Sequence, residues 1–138
     1  MPLISIAAEG SGSLYVPDAI GGRILNYDKA SGDFQSTISG IPVACGVAIA
    51  PNGNIWVGHE HTKVSVYSPS GVRLATPITD RWTEVRALSI QGNTLAVADR
   101  VGKIRKYTIS DGTQVMQTGQ LWAARETRRP EAAKAIFH

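Results

Sequence analysis

An all-β fold made of three repeats of one four-stranded unit is what this sequence predicts, and three observations carry the prediction. Tyr27, Tyr67 and Tyr107 stand 40 residues apart, and the residues around each tyrosine repeat with it. Apolar residues alternate with period two near each tyrosine, the pattern of strands whose successive side chains point to opposite faces. Turn sequences fall at matching places in every copy. A period of about 40 residues holding four short strands is the signature of a β-propeller blade. Three such blades are expected over residues 1–41, 42–79 and 80–118, with a short helical tail over 119–138.

The elements follow from aligning the copies. Ser13-Leu14-Tyr15-Val16-Pro17-Asp18, Asn54-Ile55-Trp56-Val57-Gly58-His59 and Thr94-Leu95-Ala96-Val97-Ala98-Asp99 are the second strands. In them Leu14 with Val16, Ile55 with Val57, and Leu95 with Val97 share one face. Ile24, Val64 and Ile104, each three residues before a tyrosine, fix the third strands. First strands are expected over 3–8, 46–50 and 87–90, and fourth strands over 34–38, 72–76 and 114–117. Pro51-Asn52-Gly53 and Gln91-Gly92-Asn93 turn the chain between first and second strands, because Gly and Asn accept the positive φ of tight hairpins. Ser31-Gly32, Ser70-Gly71 and Asp111-Gly112 do the same between third and fourth strands. One extra residue, at Gly21-Gly22, is the only register change.

Three blades do not close a ring, since propellers hold about four to eight. Each end of the array would expose an apolar sheet face of the kind that drives association. Completion is therefore expected from a homo-oligomer, a dimer closing a six-bladed ring, because closed symmetric assemblies are the default. The competing readings are the remaining blades of a larger protein, or an open array capped by its own tail.

Composition bounds the rest. Hydrophobic residues make up 43% and charged residues 18%, with 14 glycines, the usage of a soluble domain rich in turns. No run of about 18 apolar residues is present to span a bilayer, and residues 1–10 lack the basic start and apolar core of a signal peptide. No membrane role and a cytoplasmic location are the expectations. Lone Cys45 excludes an intrachain disulfide. A net charge of +3 and a pI near 9.2 tolerate an anionic partner without demanding one.

The last segment departs from the repeat. Trp122-Ala123-Ala124-Arg125-Glu126-Thr127-Arg128-Arg129 is helix-prone, and Pro130 suits the first position of a second helical stretch. Arg125, Arg128, Arg129 and Lys134 make the tail basic, a reading toward RNA or a membrane surface. Glu126 and Glu131 dilute that charge, and no aromatic ladder for stacking bases accompanies it. A helix that packs Trp122, Ile136 and Phe137 on a blade edge is the favoured reading.

The segment Glu9-Gly10-Ser11-Gly12-Ser13-Leu14-Tyr15-Val16-Pro17-Asp18, with Gly21-Gly22-Arg23-Ile24 and Tyr27-Asp28-Lys29-Ala30-Ser31-Gly32, resembles the opening blade of the gluconolactonase and strictosidine-synthase-like six-bladed propellers. Gly46-Val47-Ala48-Ile49-Ala50-Pro51-Asn52-Gly53-Asn54-Ile55-Trp56-Val57 is similar to the repeats of NHL and virginiamycin-lyase-type propellers. The likeness covers residues 3–118. The lactonase branch implies a divalent metal, such as calcium or zinc, with a first-strand glutamate as one ligand, and Glu9 stands at that place. Its other ligands are asparagines and an aspartate at later strand starts, where this chain has Cys45-Gly46-Val47 and Arg86-Ala87-Leu88. One glutamate does not make an oxygen-ligand site. No catalytic residue and no cofactor are therefore expected, the alternative being a metal-dependent lactonase-type hydrolase completed by another chain.

Candidate binding residues cluster on one side. Connections from second to third strand, and from fourth strand to the next first, share the channel mouth of a propeller. That mouth would carry Asp18, Asp99, Cys45, His59, Glu60 and His61, and the connection Asp80-Arg81-Trp82-Thr83-Glu84-Val85-Arg86. Trp82, flanked by Arg81, Arg86 and Glu84, pairs an aromatic plane with bidentate donors, which suits a protein or small ligand. Its competing role is a wedge packed between blades. His59 and His61 have the spacing that puts two imidazoles on the same side of a strand, a zinc or copper chelate if a third ligand joins them. Otherwise they belong to a surface turn, His59 filling the column of the turn aspartates Asp18 and Asp99. Cys45, near the channel, is either a reactive thiol or a buried, unactivated one. Arg100, Lys103, Arg105 and Lys106 offer a local basic patch for an NHL-like RNA-binding role. A non-catalytic binding module is the favoured reading.

Overall fold

A computed structural model describes residues 7–8, 12–79, 84–110 and 112–122, and in it the chain forms three antiparallel sheets of four strands. Sheet 1 holds β1 (Ala7–Ala8), β2 (Ser13–Asp18), β3 (Arg23–Asp28) and β4 (Phe34–Ile38). Sheet 2 holds β5 (Gly46–Ile49), β6 (Ile55–His59), β7 (Lys63–Tyr67) and β8 (Arg73–Ile78). Sheet 3 holds β9 (Val85–Gln91), β10 (Thr94–Asp99), β11 (Lys103–Ile109) and β12 (Val115–Trp122). Each is a meander in which sequence neighbours pair, as short hairpin turns dictate. Among the described residues, no helix is long and apolar enough to cross a membrane.

The boundaries depart from expectation at the outer strands. β8 runs to Ile78, and β12 continues to Trp122, into the segment expected to start the tail. The reason is a bulge: Lys106 pairs with Gly119 but Tyr107 with Gln117, so Thr118 is left over and the ladder resumes through Lys103↔Trp122. Thr118 Oγ1 donates to Lys106 O at 3.3 Å, holding the extra residue in place. The helical tail otherwise lies outside the described residues, as does most of the expected first strand.

The same bulge recurs before every repeat tyrosine. Asn26 pairs with Ser36 and Tyr27 with Phe34, leaving Gln35 over; Val66 pairs with Ala75 and Tyr67 with Arg73, leaving Leu74 over. An extra residue sharpens the local right-handed twist of the outer strand. The repeat is thus structural down to its irregularities.

Period-two alternation decides the stacking. In sheet 2, Val47, Ile55, Val57 and Tyr67 pack with Tyr15, Ile24, Ile38, Ile41 and Ala44 from the sheet 1 side. The alternate residues Trp56, Val64, Val66 and Ile78 pack with Val85, Leu95, Val97, Tyr107 and Ile109 from sheet 3. Every residue of β6 is consequently buried. Burying each such side chain is worth about 1.5–3 kcal/mol, which makes the middle sheet the stable centre of the array. We call the Leu/Val/Tyr side of a sheet its near face, turned to the preceding sheet, and the opposite side its far face.

First strands come together where the sheets converge. Gly46 pairs with Gly58 across β5 and β6, and β9 lies over both. A Cβ on Gly46 would sit 3.3 Å from Ala87 Cα, and one on Gly58 would overlap Val85 Cγ1 at 2.7 Å. Two facing glycines let one backbone approach another in a way no larger residue permits.

Candidate functional site

Backbone hydrogen bonds knit the second-to-third-strand turns and the inter-sheet connections into one rim. Ile41 N donates to Gly22 O at 2.8 Å and Glu60 N to Pro42 O at 2.9 Å. Val85 N donates to His61 O at 2.7 Å and Arg100 N to Glu84 O at 2.8 Å. Each connection between sheets therefore ties together the hairpin turns of the sheets it joins. The turn aspartates do what their position requires: Asp18 Oδ1 accepts from Gly21 N at 2.9 Å, and Asp99 Oδ1 from Val101 N and Lys103 N at 3.1 and 2.9 Å. The Gly21 bond and the Arg23 guanidinium, 2.9 Å from Oδ2, hold the Asp18 carboxyl below its ordinary range.

The rim also holds the described non-glycine residues with left-handed backbone: Val43 (φ 53°), Glu60 (φ 48°) and His61 (φ 67°). Such conformations cost on the order of 1–3 kcal/mol each, and a β-branched residue like Val43 tolerates them least. Strain of this kind gathers at binding sites.

Glu84 is the electrostatic hub. Its carboxylate lies 3.3 Å from Arg100 Nε, 3.7 Å from Arg86 Nη2 and 3.6 Å from His61 Nδ1. One carboxylate thus faces two guanidinium groups and an imidazole. Arg86 Nε is buried and has no hydrogen-bond acceptor among the described residues. A buried donor left without a partner costs about 1–3 kcal/mol, so an arriving acceptor would recover that energy. Four predicted binding residues fall here as follows: His61, Glu84 and Arg86 converge, whereas His59 does not. Arg81, Trp82 and Glu9 lie outside the described residues. Arg100 completes the hub, and its role was not visible in sequence because it arrives on a different hairpin.

His59 is a correction. It is fully buried, with Nε2 2.7 Å from Ser65 Oγ, and Ser65 Oγ is 2.8 Å from Thr76 Oγ1. Nδ1 lies 3.2 Å from Glu60 Oε1 without hydrogen-bond alignment. Burial holds the imidazole below its ordinary pKa, and the Glu60 carboxylate opposes that shift only partly. The left-handed turn at Glu60 and His61 separates the two rings, sending one into the sheet and the other to the rim. The histidine chelate is thereby excluded. A Ser-His-acid order is present but does not make a hydrolase, because Ser65 is fully buried and Thr76 occupies its other side. Among the described residues, no three His, Cys, Asp or Glu side chains gather to hold a metal ion.

Cys45 is not a nucleophile. Its thiol is buried, reaches Val85 O at 2.6 Å, and has a pKa pushed up to about 12 by burial and by the nearby Glu84 charge. The basic quartet of sheet 3 is also dispersed: Arg105 is buried on the near face, Lys106 lies on the far face, and Arg100 is engaged by Glu84. At the other end of the sheets, a cleft of about 280 Å³ is lined by Ala50, Pro51, Asn52, Asn93, Ile109 and Gly112.

No protein-family model matches the sequence, and no curated protein does. Solved structures do match. One is hydrazine synthase of Kuenenia stuttgartiensis, with a TM-score of 0.70 at 15% identity over 87% of this chain. Another is U3-55K, with a TM-score of 0.65 at 18% identity over 84% of this chain. Both contain propellers. The fold is β-propeller-like. The chain spans 35% and 38% of the lengths of these propeller-containing structures, so the likeness concerns a set of sheets and not a whole ring.

Proposed function

We propose that this propeller-like chain is a non-catalytic binding module whose rim takes an anionic group presented by a protein or small-ligand partner. The observation that carries this reading is the buried, acceptor-less Arg86 Nε beside Glu84. Arg86 and Arg100 supply planar donors, which match a carboxylate or phosphate bidentately. Glu84 keeps them oriented while the site is empty and yields one guanidinium edge to the incoming anion. Arg81 and Trp82, next in sequence to this hub, add a cation and an aromatic plane to the same connection. The fold likeness to U3-55K and hydrazine synthase supports a propeller scaffold for such a site. An NHL-like or gluconolactonase-like ancestry belongs to this proposal, as does completion of the ring by further sheets.

The test is an amide NMR titration with an oligoglutamate peptide and with inorganic phosphate, oligolysine serving as control. Shifts should concentrate on residues 60–62, 84–86 and 100–102, and the Arg86→Gln/Arg100→Gln double variant should lose them. Shifts elsewhere, or shifts that survive the double variant, reject the rim as the binding site.

A further inference from the structure

The two outer faces of the array are unlike in bulk, and the sheets between them show what each face accepts. On near faces, the equivalent columns read Leu14, Val16, Leu25, Tyr27 in sheet 1; Ile55, Val57, Ser65, Tyr67 in sheet 2; and Leu95, Val97, Arg105, Tyr107 in sheet 3. The latter two sets are buried against a neighbouring sheet. Leu14, Leu25 and Tyr27 are only half-buried, and Phe34, edge-on to Tyr27 at 5.8 Å between ring centres, is 58% exposed. On far faces, the columns read Tyr15, Pro17, Ile24, Asn26; then Trp56, Gly58, Val64, Val66; then Ala96, Ala98, Ile104, Lys106. Ala87 and Ser89, exposed, extend the last of these through β9.

Sheet 1 thus carries a more apolar near face, Leu25 standing where the polar Ser65 and Arg105 stand, and Phe34 where Arg73 stands. Sheet 3 has lost bulk on its far face, Ala96 standing where Tyr15 and Trp56 stand. Large apolar groups on one outer surface and small residues on the other suit facing layers that interdigitate, as large and small side chains do across a packed core. Both internal interfaces join a near face to a far face, and among described sheets these two surfaces are the ones left over. We infer that the near face of sheet 1 docks on the far face of sheet 3 of a second copy, head to tail, extending the interface already built twice within the chain. A pair related by a two-fold axis satisfies both ends at once, because each copy offers one face of each kind.

This inference rests on reading the chain as part of a ring, and its failure is separable from failure of the rim site, which the titration above reads independently. The experiment is sedimentation equilibrium on the full chain, on Leu25→Glu, on Ala96→Glu, and on an equimolar mixture of the two variants. Wild type should sediment at twice the 14.7 kDa chain mass. Each variant alone should associate about tenfold or more weakly, since a buried unpaired carboxylate is costly. The mixture should recover association, because the intact near face of one variant meets the intact far face of the other. That recovery also shows both variants folded. A monomeric wild type overturns the inference. So does an Ala96→Glu variant that pairs like wild type, which would mean two near faces meeting each other, and so does a mixture that recovers nothing.

Discussion

His59 Nε2 sits 2.7 Å from Ser65 Oγ, with both side chains fully buried, and Thr76 Oγ1 continues the chain 2.8 Å further on. Three strands of sheet 2, β6, β7 and β8, are thereby cross-linked by side chains at their rim end. Replacing His59 by Ala would strand the Ser65 hydroxyl and open a cavity. A loss of about 2–4 kcal/mol is expected in urea unfolding, while His61→Ala, on the exposed ring, should change stability by less than about 0.5 kcal/mol.

The same histidine sets a pH dependence. Its pKa is lowered on folding from the ordinary 6.5, so the unfolded chain binds the proton more readily. Stability from this group is full above pH 6.5 and declines as pH falls from there toward the lower folded value. Urea midpoints measured from pH 8 to 5 should show the decline, and His59→Gln should flatten it.

Cys45 should resist labelling. With its thiol against Val85 O and a pKa near 12, native protein should react with a disulfide reagent far more slowly than urea-unfolded protein. Equal rates in the two states would contradict the described burial.

Gly58 faces Val85 where a Cβ would overlap Cγ1 at 2.7 Å. Gly58→Ala should destabilise by about 1–3 kcal/mol as β9 is pushed from β6. The double variant Gly58→Ala/Val85→Ala should recover part of that loss, measured as a coupling in a double-mutant cycle.

Val43 holds a left-handed backbone that glycine adopts freely. Val43→Gly should raise stability by about 1 kcal/mol, the relieved strain exceeding the added unfolded-state entropy. If the strain shapes the rim, the same variant should shift the amide resonances of Glu60 and His61.

Periodicity made the scaffold legible: the tyrosine spacing, the alternation in β2, β6 and β10, and the glycine turns all correspond to observed elements. What escaped the sequence was whatever depends on a local change of hand or on distant partners. His59 and His61 look like a pair by spacing, but the left-handed residues between the strands turn them apart. Thr118 and Gln35 become bulges only because the partner strand is one residue shorter, a property of two segments at once. Glu84 gathers Arg86 from its own strand and Arg100 from the next hairpin, a convergence that only the zipped rim produces.

Hydrogen exchange of backbone amides tests the stacking most directly, measured at a dilution where the chain is monomeric. A middle sheet covered on both faces requires the amides of Val57, Val64 and Val66 to exchange only through global unfolding, while those of β2 and β11, covered on one face, open earlier. Uniform protection across the three sheets, or fastest exchange in β6 and β7, would contradict the order of the array.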